Sequence, residues 1–405
     1  MTAYWWIRDD QRLHNHPTLK AALAWREETG ATLRAVYVQG PTAPARFSEY
    51  PDPVPRSSPV KEAYQQASLE ALTAGLKQLD VEVEITAQSL EAWLTDRQPD
   101  AVFFTFGAAW EEREAERILS SSRVPAWGYH SRTLLRPQEA FQPDLPSTYT
   151  PFRKRVESLL GHVPFPDIQP FEGSASLIHP FSAKEAEARA HLYAYVAAEG
   201  PGRRYKTTRN GMLNAQDSTK LSAYLSLGLV HPQEVWNRCL EVENAVGGCE
   251  EIYWIRFELL WREYFQWVAY EAGAKLFRAR GLKNEASPET RMGSRKAFEL
   301  WTEGRTGDAL VDAAMRELKA TGYQSNRARQ NAASYWIHDL KQPWRVGAAY
   351  FEAMLVDYDA ASNWGNWAYI AGVGNDPRPF RKFNTHKQAE QYDPDGSYRA
   401  AWSSQ

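Results

Sequence analysis

The pattern of apolar and polar residues differs between the two halves of the chain and changes near residue 180. In the first 130 residues, short apolar runs alternate with segments whose apolar positions recur every three to four residues. This alternation of strand-like and helix-like segments is typical of a parallel sheet covered by helices on both faces. The sequence therefore predicts a doubly wound α/β domain over residues 1–130. Its predicted strands are 3–7, 35–38, 81–85 and 101–106, and its predicted helices are 18–28, 58–79 and 110–119.

The rest of the chain divides into a linker and a helical domain. Residues 131–180 contain eight prolines and few periodic apolar positions, which predicts a long interdomain linker lying over the surface. From 181 to 405, helical periodicity replaces the alternation, so we predict an all-α domain. The predicted helices are 184–199, 220–229, 250–272, 306–321, 326–340 and 344–355.

Bulk properties exclude several classes of protein. The formal charge of −3 over 405 residues argues against a generally basic nucleic-acid coat, although a local basic patch remains possible. Cys239 and Cys249 have neither disulfide-framework nor zinc-finger spacing, so no metal site is predicted. The N-terminus reaches charged residues too early for a signal peptide, and no apolar run approaches membrane-spanning length. We therefore expect a cytoplasmic protein without a membrane partner.

The stretch from Asp357 to Asp376 has a composition that packing does not require. Asp357 and Asp359 can accept hydrogen bonds from a ribityl or ribose chain, and Asn363 offers a donor and an acceptor to a ring. Two Trp and a Tyr within six residues add polarisable stacking surfaces. These residue types together indicate a site for an aromatic cofactor.

A second candidate site lies in the hydroxyl-rich segment Ser218, Thr219, Lys220 and Ser222. Hydroxyls, free backbone N–H groups and one cation at a helix start can hold a diphosphate. From the local sequence alone, an ordinary N-cap is the commoner explanation, by about two to one.

The third candidate is the predicted helix around Phe257–Trp267. Glu258, Trp261 and Arg262 share one of its faces because they stand three and four residues apart. An aromatic residue on such a face is usually core, and a Glu–Arg pair at this spacing is usually a surface ion pair, so structural roles are the commoner explanation.

A fourth group stands at the start of a later predicted helix. Asn326, Arg329 and Gln330 share a face, and Arg327 turns towards a neighbouring one. A capped, solvated helix start would explain the same residues.

Several motifs resemble the photolyase/cryptochrome superfamily, and its DASH cryptochrome branch in particular. The run ASNWGNW is followed by AGVGNDPR, FN, KQ and YDPDG, and this composite pattern resembles the family's C-terminal flavin-binding signature. The blocks YKTTRN and TPFRKRVE, and the opening WWIRDDQRLHNHPTLKAAL, are similar to segments at matching places in the family. The resemblance implies an antenna-binding α/β domain joined by a linker to an all-α FAD-binding domain.

The resemblance also implies roles for individual residues, with FAD as the cofactor. A buried Arg329–Asp357 pair would lie beside the isoalloxazine ring, and Asn363 would face its N5. The positions that match FAD contacts are Tyr205, Ser218, Thr219, Lys220, Leu221, Ser222, Arg262, Asn326, Arg329, Asp357, Asp359 and Asn363. The positions that match lesion contacts are Glu258, Trp261, Asn326, Arg327, Gln330 and Tyr369. The implied catalytic set is Trp367 and Trp344, as the first two tryptophans of a photoreduction chain, with Asn363 and Glu258.

The activity implied by the resemblance is light-driven repair of cyclobutane pyrimidine dimers in DNA by a monomer. Tyr369 stands where photolyases for duplex DNA usually have Trp, a replacement associated with preference for single strands. Methenyltetrahydrofolate is the expected antenna. One alternative is a blue-light photoreceptor that binds DNA or a partner without repair. The other is a light-independent nucleotide-binding protein. The sequence disfavours the latter because it contains neither the dinucleotide-binding motif GxGxxG after the first strand nor the phosphate-loop motif GxxxxGK[ST].

One of the departures from the family pattern concerns electron transfer. The outermost tryptophan of the photoreduction chain normally stands ten residues before the residue that is Trp301 here, and that position is Arg291. Electron transfer then uses another aromatic residue, with Tyr335 and Trp336 as candidates, or photoreduction is poor.

Overall fold

The computed structural model describes residues 1–40, 43–142, 144–178, 181–283, 292–376 and 381–403. Within these ranges, the first 130 residues form a five-stranded sheet in the order β3-β2-β1-β4-β5. All neighbouring strands are parallel. The strands are β1 (Thr2–Ile7), β2 (Thr32–Val38), β3 (Glu82–Thr86), β4 (Ala101–Thr105) and β5 (Ala126–Tyr129), and the helices between them are α1 (Pro17–Thr29), α2 (Pro59–Lys77), α3 (Leu90–Arg97) and α4 (Trp110–Ser121).

The sheet has a hydrophobic core on each face, as the doubly wound prediction requires. Side chains of a strand alternate between faces, so Trp5 packs in one core and Tyr4 and Trp6 in the other. Pro17 opens α1, and Gly30 closes it at a φ of 66°, a conformation that favours glycine. The sequence prediction missed α3 and β5, which are short elements of eight and four residues.

The segment predicted to be a surface linker contains two helices, α5 (Pro137–Ala140) and α6 (Tyr149–Leu160). Tyr149, Phe152 and Val156 of α6 are buried in the main core of the helical part. The prediction was wrong here because Pro151 lies in the first turn of α6, where its missing N–H disrupts no helical hydrogen bond.

The chain after residue 181 is helical throughout its described ranges. Short 3-10 turns cover Pro201–Arg204 and Gly273–Phe277, and a π turn covers Tyr335–Asp339. The helices are α7 (Glu185–Tyr195), α8 (Tyr205–Thr208), α9 (Ser222–Ser226), α10 (Pro232–Ala245), α11 (Glu250–Ala272), α12 (Arg295–Thr302), α13 (Ala309–Thr321), α14 (Asn326–Ser334), α15 (Trp344–Met354), α16 (Ala360–Ala371), α17 (Thr385–Tyr392) and α18 (Ser397–Ala401).

Helix α11 is the central element of this part, with the bounds that the sequence predicts. It packs against α6, α8, α10 and α16, so its faces reach most walls of the helical part. The predicted helix 220–229 is shorter, because Lys220 adopts a left-handed φ of 55° before α9 begins. The predicted helix 326–340 is α14 followed by the π turn.

Buried polar contacts join the sheet to the helical part. The Arg12 guanidinium donates to the carbonyl oxygens of Gly228, at 2.9 Å, and Ser131, at 3.2 Å. A second contact comes from α2, where Lys61 Nζ donates to the Glu352 carbonyl of α15 at 2.7 Å. Among the described residues, no helix is both long and apolar enough to cross a membrane.

Candidate functional site

Two adjoining cavities of about 210 and 260 Å³ lie among the helices of the second half. The residues that line both are Ser222, Tyr323, Asn326, Arg329, Asp357, Asp359 and Ser362. All predicted cofactor contacts line one or both cavities, including Tyr205, Leu221 and Asn363. The cavities therefore form one two-part site, which brings together segments that are far apart in sequence.

Only some of the residues predicted to contact the lesion or to transfer electrons line the cavities. Glu258, Asn326 and Gln330 line the cavities, as does Trp367. Four predicted residues line neither cavity: Trp261, Arg327, Trp344 and Tyr369.

The expected pair of Arg329 and Asp357 lies at the junction of the two cavities. Arg329 Nη2 donates to Asp357 Oδ2 at 2.8 Å, and Arg329 Nε donates to the Gln324 carbonyl at 2.9 Å. Burial disfavours the charge of Arg329, but the Asp357 carboxylate outweighs burial and raises the pKa of Arg329. The other oxygen, Asp357 Oδ1, is buried without a hydrogen-bond partner, so it is an acceptor available to a ligand.

Asp359 is the N-cap of α16 and accepts a hydrogen bond from Ser362 N at 2.7 Å. Gln266 Nε2 also donates to both of its oxygens, at 2.7 and 2.9 Å. Arg132 and Arg262 lie 3.5 and 3.9 Å from its Oδ2. Burial raises the pKa of Asp359, but the two guanidiniums outweigh it, so the pKa lies below its ordinary value. The carboxylate is therefore held ionised.

Asn363 is buried in α16, and its Nδ2 donates to the Ala348 carbonyl at 3.0 Å. This bond fixes the plane of the amide and leaves the side-chain oxygen as an acceptor on the first cavity.

The hydroxyl-rich segment before α9 does not act as its cap. The N-cap of α9 is Leu221, without a side-chain cap hydrogen bond. Thr219 instead contacts the Leu221 N–H through Oγ1 at 3.3 Å, and its carbonyl contacts His191 Nε2 at 2.9 Å. Since Ser218, Thr219 and Ser222 line the cavity, the geometry favours a ligand over the N-cap explanation.

Glu258 and Arg262 do not form the surface ion pair expected from their spacing. Glu258 pairs with Arg209, a residue outside the predicted site, whose guanidinium lies 4.7 Å from the ring centroid of Trp254. Burial raises the pKa of Glu258, and Arg209 offsets part of this rise. A raised pKa favours a neutral carboxyl group that can donate a hydrogen bond.

Trp261 stands beside the second cavity in an aromatic cluster. Its ring stacks on Tyr149 at a centroid distance of 3.7 Å and an angle of 11°. Tyr369 meets Trp261 edge-on at 6.2 Å, and Arg381 lies 4.6 Å from the centre of the Tyr369 ring. Tyr149, which the sequence analysis assigned to the linker, therefore fixes the ring predicted to contact the lesion.

Arg327 points away from the cavities, as its position on the helix predicts. It donates to Asn210 Oδ1 at 2.8 Å and to Gln330 Oε1 at 3.0 Å. The bond to Asn210 ties α14 to the segment after α8. Since Arg327 lines neither cavity, any contact between Arg327 and a substrate lies outside the cavities.

The predicted photoreduction residues have aromatic neighbours. The ring centroids of Trp367 and Trp301 are 6.2 Å apart, and those of Trp301 and Trp336 are 4.7 Å apart. Trp344 meets Trp364 at 5.8 Å. Arg291, which occupies the position of the outermost tryptophan, lies outside the described residues. Of the two candidates for an alternative route, Trp336 is in contact with Trp301, and Tyr335 begins the π turn.

The unpartnered hydrogen-bonding groups of the cavities fit FAD. Besides Asp357 Oδ1, the Arg262 Nη2 group is buried without a hydrogen-bond partner, and both residues line the cavities. Unpartnered buried groups of both kinds, an acceptor and a cationic donor, are costly unless a polar ligand contacts them. A ligand with a diphosphate, hydroxyls and a polar ring satisfies both.

Comparisons with known proteins agree with this interpretation. Residues 3–170 match the family described as DNA photolyase, and residues 254–405 match the family described as FAD binding domain of DNA photolyase. Cryptochrome DASH of Idiomarina loihiensis is 39% identical over an alignment of 363 residues, and this alignment covers 82% of this chain and 80% of that protein. Cryptochrome DASH of Synechocystis sp. is 35% identical, over 98% of this chain and 86% of that protein.

A solved structure has the same architecture over the whole chain. The crystal structure of Synechocystis cryptochrome superposes with a TM-score of 0.85 at 34% identity, covering 99% of this chain and 88% of that one. The predicted fold class, a parallel α/β domain followed by an all-α FAD-binding domain, is thereby confirmed. The chain belongs to the photolyase/cryptochrome family, and it is similar to DASH cryptochromes of that family at 35–39% identity.

Proposed function

We propose that this photolyase-like flavoprotein repairs cyclobutane pyrimidine dimers in DNA with blue light. The observation that carries the proposal is the continuity of the two cavities. Arg329, Asp357 and Asn363, the predicted neighbours of the flavin ring, share this site with Glu258 and Asn326, the predicted neighbours of the lesion. A ring and a flipped pyrimidine pair would therefore lie within reach of the same walls.

The residues of the chain position the dimer and hold protons, while bound and reduced FAD supplies the light-driven electron. In its protonated form, which the raised pKa favours, Glu258 donates a hydrogen bond to a pyrimidine carbonyl, and the Asn326 amide donates to another. The ring of Trp261, backed by Tyr149, offers a stacking surface to the flipped bases. Arg209 compensates the charge of Glu258 whenever this carboxyl group ionises.

Preference for single-stranded DNA follows from the smaller ring at Tyr369. An edge-on Tyr beside Trp261 offers less stacking area than the Trp found in photolyases for duplex DNA. Weaker stacking offsets less of the cost of extruding bases, and this cost is lowest in a single strand.

The remaining parts of the proposal concern the antenna and the state of the protein. We propose methenyltetrahydrofolate as antenna and a monomer in the cytoplasm. A solved relative, the archaeal photolyase from Sulfolobus tokodaii, at 25% identity and a TM-score of 0.75, is described as holding two FAD molecules, with the implication of a novel light-harvesting cofactor. Chromatography of the pigments released from purified protein distinguishes a folate from a second flavin.

The test is illumination of the reduced protein with dimer-containing oligonucleotides, single-stranded and duplex, followed by chromatography of the bases. We expect light-dependent return of pyrimidines, faster from the single strand, and no return in the dark. If the FAD is bound and reduced but no pyrimidines return, the proposal is wrong. Light-dependent binding of DNA or a partner without repair would then indicate the photoreceptor alternative.

A further inference from the structure

Arg132 lies at the point where the sheet meets the cofactor cavity. It follows β5, and its side chain is only 6% exposed. Its guanidinium contacts three carboxylates from three segments: Glu112 of α4, Asp9 after β1 at 3.5 Å, and Asp359 at 3.5 Å. One buried cation is thus shared between two carboxylates of the sheet domain and one of the cavity.

The backbone of Arg132 orients a second cavity group. Arg262 Nη1 donates to the Arg132 carbonyl at 2.7 Å. This bond fixes the guanidinium of Arg262 so that Nη2, which has no hydrogen-bond partner, remains for a ligand. Arg132 therefore acts on both polar groups at this end of the cavity, through its side chain on Asp359 and through its carbonyl on Arg262.

Charged groups of both signs surround Arg132. The carboxylates of Asp9, Glu112 and Asp359 face the guanidiniums of Arg132 and Arg262, and Arg8 also acts on Asp9 and Glu112. Without Arg132, Arg262 would be the cation left beside Asp359, at 3.9 Å. Because the group is largely buried, charge changes here are poorly screened by salt, and a charged ligand in the cavity would sense them.

We propose that Arg132 is a positioning residue for FAD, which holds Asp359 and Arg262 in place and couples the charge at the carboxyl edge of the sheet to the cavity. The proposal rests on the assignment of the cavity to FAD and is independent of dimer repair. The competing explanation is a purely structural joint between the domains, such as Arg12 provides through backbone carbonyls.

The two explanations differ in the sign of a redox effect. Replacing Arg132 with Met removes a positive charge near the cavity, so the reduced, anionic form of FAD becomes less favourable. Replacing Glu112 with Gln removes a negative charge from the same cluster, while its amide oxygen can still accept from the N–H groups of Ala108 and Ala109. Charge coupling therefore predicts opposite shifts, whereas loss of a joint gives no reason for opposite signs.

The experiment uses the purified holoprotein and measures FAD affinity by flavin fluorescence, the ratio of reduced to oxidised FAD at a fixed potential, and thermal stability. For R132M we expect a Kd for FAD raised about tenfold or more and a reduced-to-oxidised ratio lowered several-fold, within the range of typical coupling between sites. For E112Q we expect the ratio to rise. R132K, which keeps the charge, should restore the ratio and part of the affinity.

The matched control is Arg8→Met. Arg8 is a neighbouring buried cation, with a side chain 10% exposed, that pairs with Glu116 and donates to the carbonyls of Thr105 and Glu112. It borders the same cluster at Glu112, but among the described residues it forms no ion pair with Asp359. We expect R8M to lose stability while keeping FAD affinity. If R132M and R8M lose affinity in proportion to stability, or if R132M and E112Q shift the ratio in the same direction, the proposal is wrong. Should R132M not fold, R132K and E112Q decide by the same criteria, and a wild-type protein that binds no FAD would refute the cofactor assignment itself.

Discussion

Replacing Asp357 with asparagine removes the charge that holds Arg329 at the junction of the two cavities. Breaking a buried ion pair costs about 3–5 kcal/mol of the free energy of unfolding. Arg329 is 23% exposed and keeps its bond to the Gln324 carbonyl. Solvent screening therefore reduces the expected cost below this range, to about 2 kcal/mol. For a chain of 405 residues, the entropy of unfolding scales to a shift of about 1 °C per kcal/mol, so the Tm of the apoprotein should fall by about 2–3 °C.

The same substitution should weaken FAD binding separately from stability. Asp357 Oδ1 is the buried acceptor without a partner, and a hydrogen bond to a charged group contributes about 1.5–3 kcal/mol. Asparagine keeps an acceptor oxygen but loses the charge, and the neutral hydrogen bond contributes about 1 kcal/mol less, so the Kd for FAD should rise about fivefold. Fluorescence titration of the apoprotein with FAD measures this change at a temperature where the variant is folded.

A matched control separates the two effects. Asp393 is equally buried and pairs with Arg399, which is 34% exposed, at 2.7 Å, and it lines neither cavity. Asp393→Asn should lower the Tm by a similar amount and leave the Kd for FAD unchanged. If Asp357→Asn binds FAD as tightly as wild type while both variants are folded, the assignment of this carboxylate to the cofactor is refuted.

Three further predictions concern the proposed lesion pocket. Because burial raises the pKa of Glu258, its neutral, hydrogen-bond-donating form persists to higher pH, and the affinity of the wild type for dimer-containing DNA should fall as the pH rises through that pKa. The affinity of Glu258→Gln should not change over the same pH range, and a pH-dependent affinity of this variant would refute the role of Glu258 as a donor. Tyr149→Ala removes the ring stacked on Trp261 and should weaken binding of the dimer up to about tenfold at unchanged FAD affinity. Tyr149→Phe keeps the ring and should bind the dimer nearly as tightly as wild type, so an equal loss of dimer affinity in both variants would refute the stacking role. Tyr369→Trp should increase repair of dimers in duplex DNA relative to single strands, measured with paired oligonucleotides, and an unchanged ratio would refute the explanation of strand preference.

The parts of the site that share a helical face could be predicted from the sequence. Residues three and four apart on α11 and α14 have a fixed relation, and the bounds of α11 agree with the prediction. The Arg329–Asp357 pair came from the family resemblance, and its geometry is present in the structure.

The long-range pairings could not be predicted in this way. Arg132 and Asp359 are 227 positions apart, and Arg209 meets Glu258 only because α8 packs against α11. Such contacts depend on how the helices cross, and neither periodicity nor capping signals carry that information. The packing of α6 was missed for a related reason, since proline content describes local backbone preference and Tyr149 is buried by contacts with α11.

A crystal structure of the protein with FAD and a dimer-containing single strand is the most direct test of the central claim, that one cavity serves both cofactor and lesion. We expect the isoalloxazine ring beside Arg329, Asp357 and Asn363, and the dimer against Glu258 and Asn326, with no side chain between them. A dimer bound elsewhere on the surface, or side chains separating it from the flavin, would refute this claim.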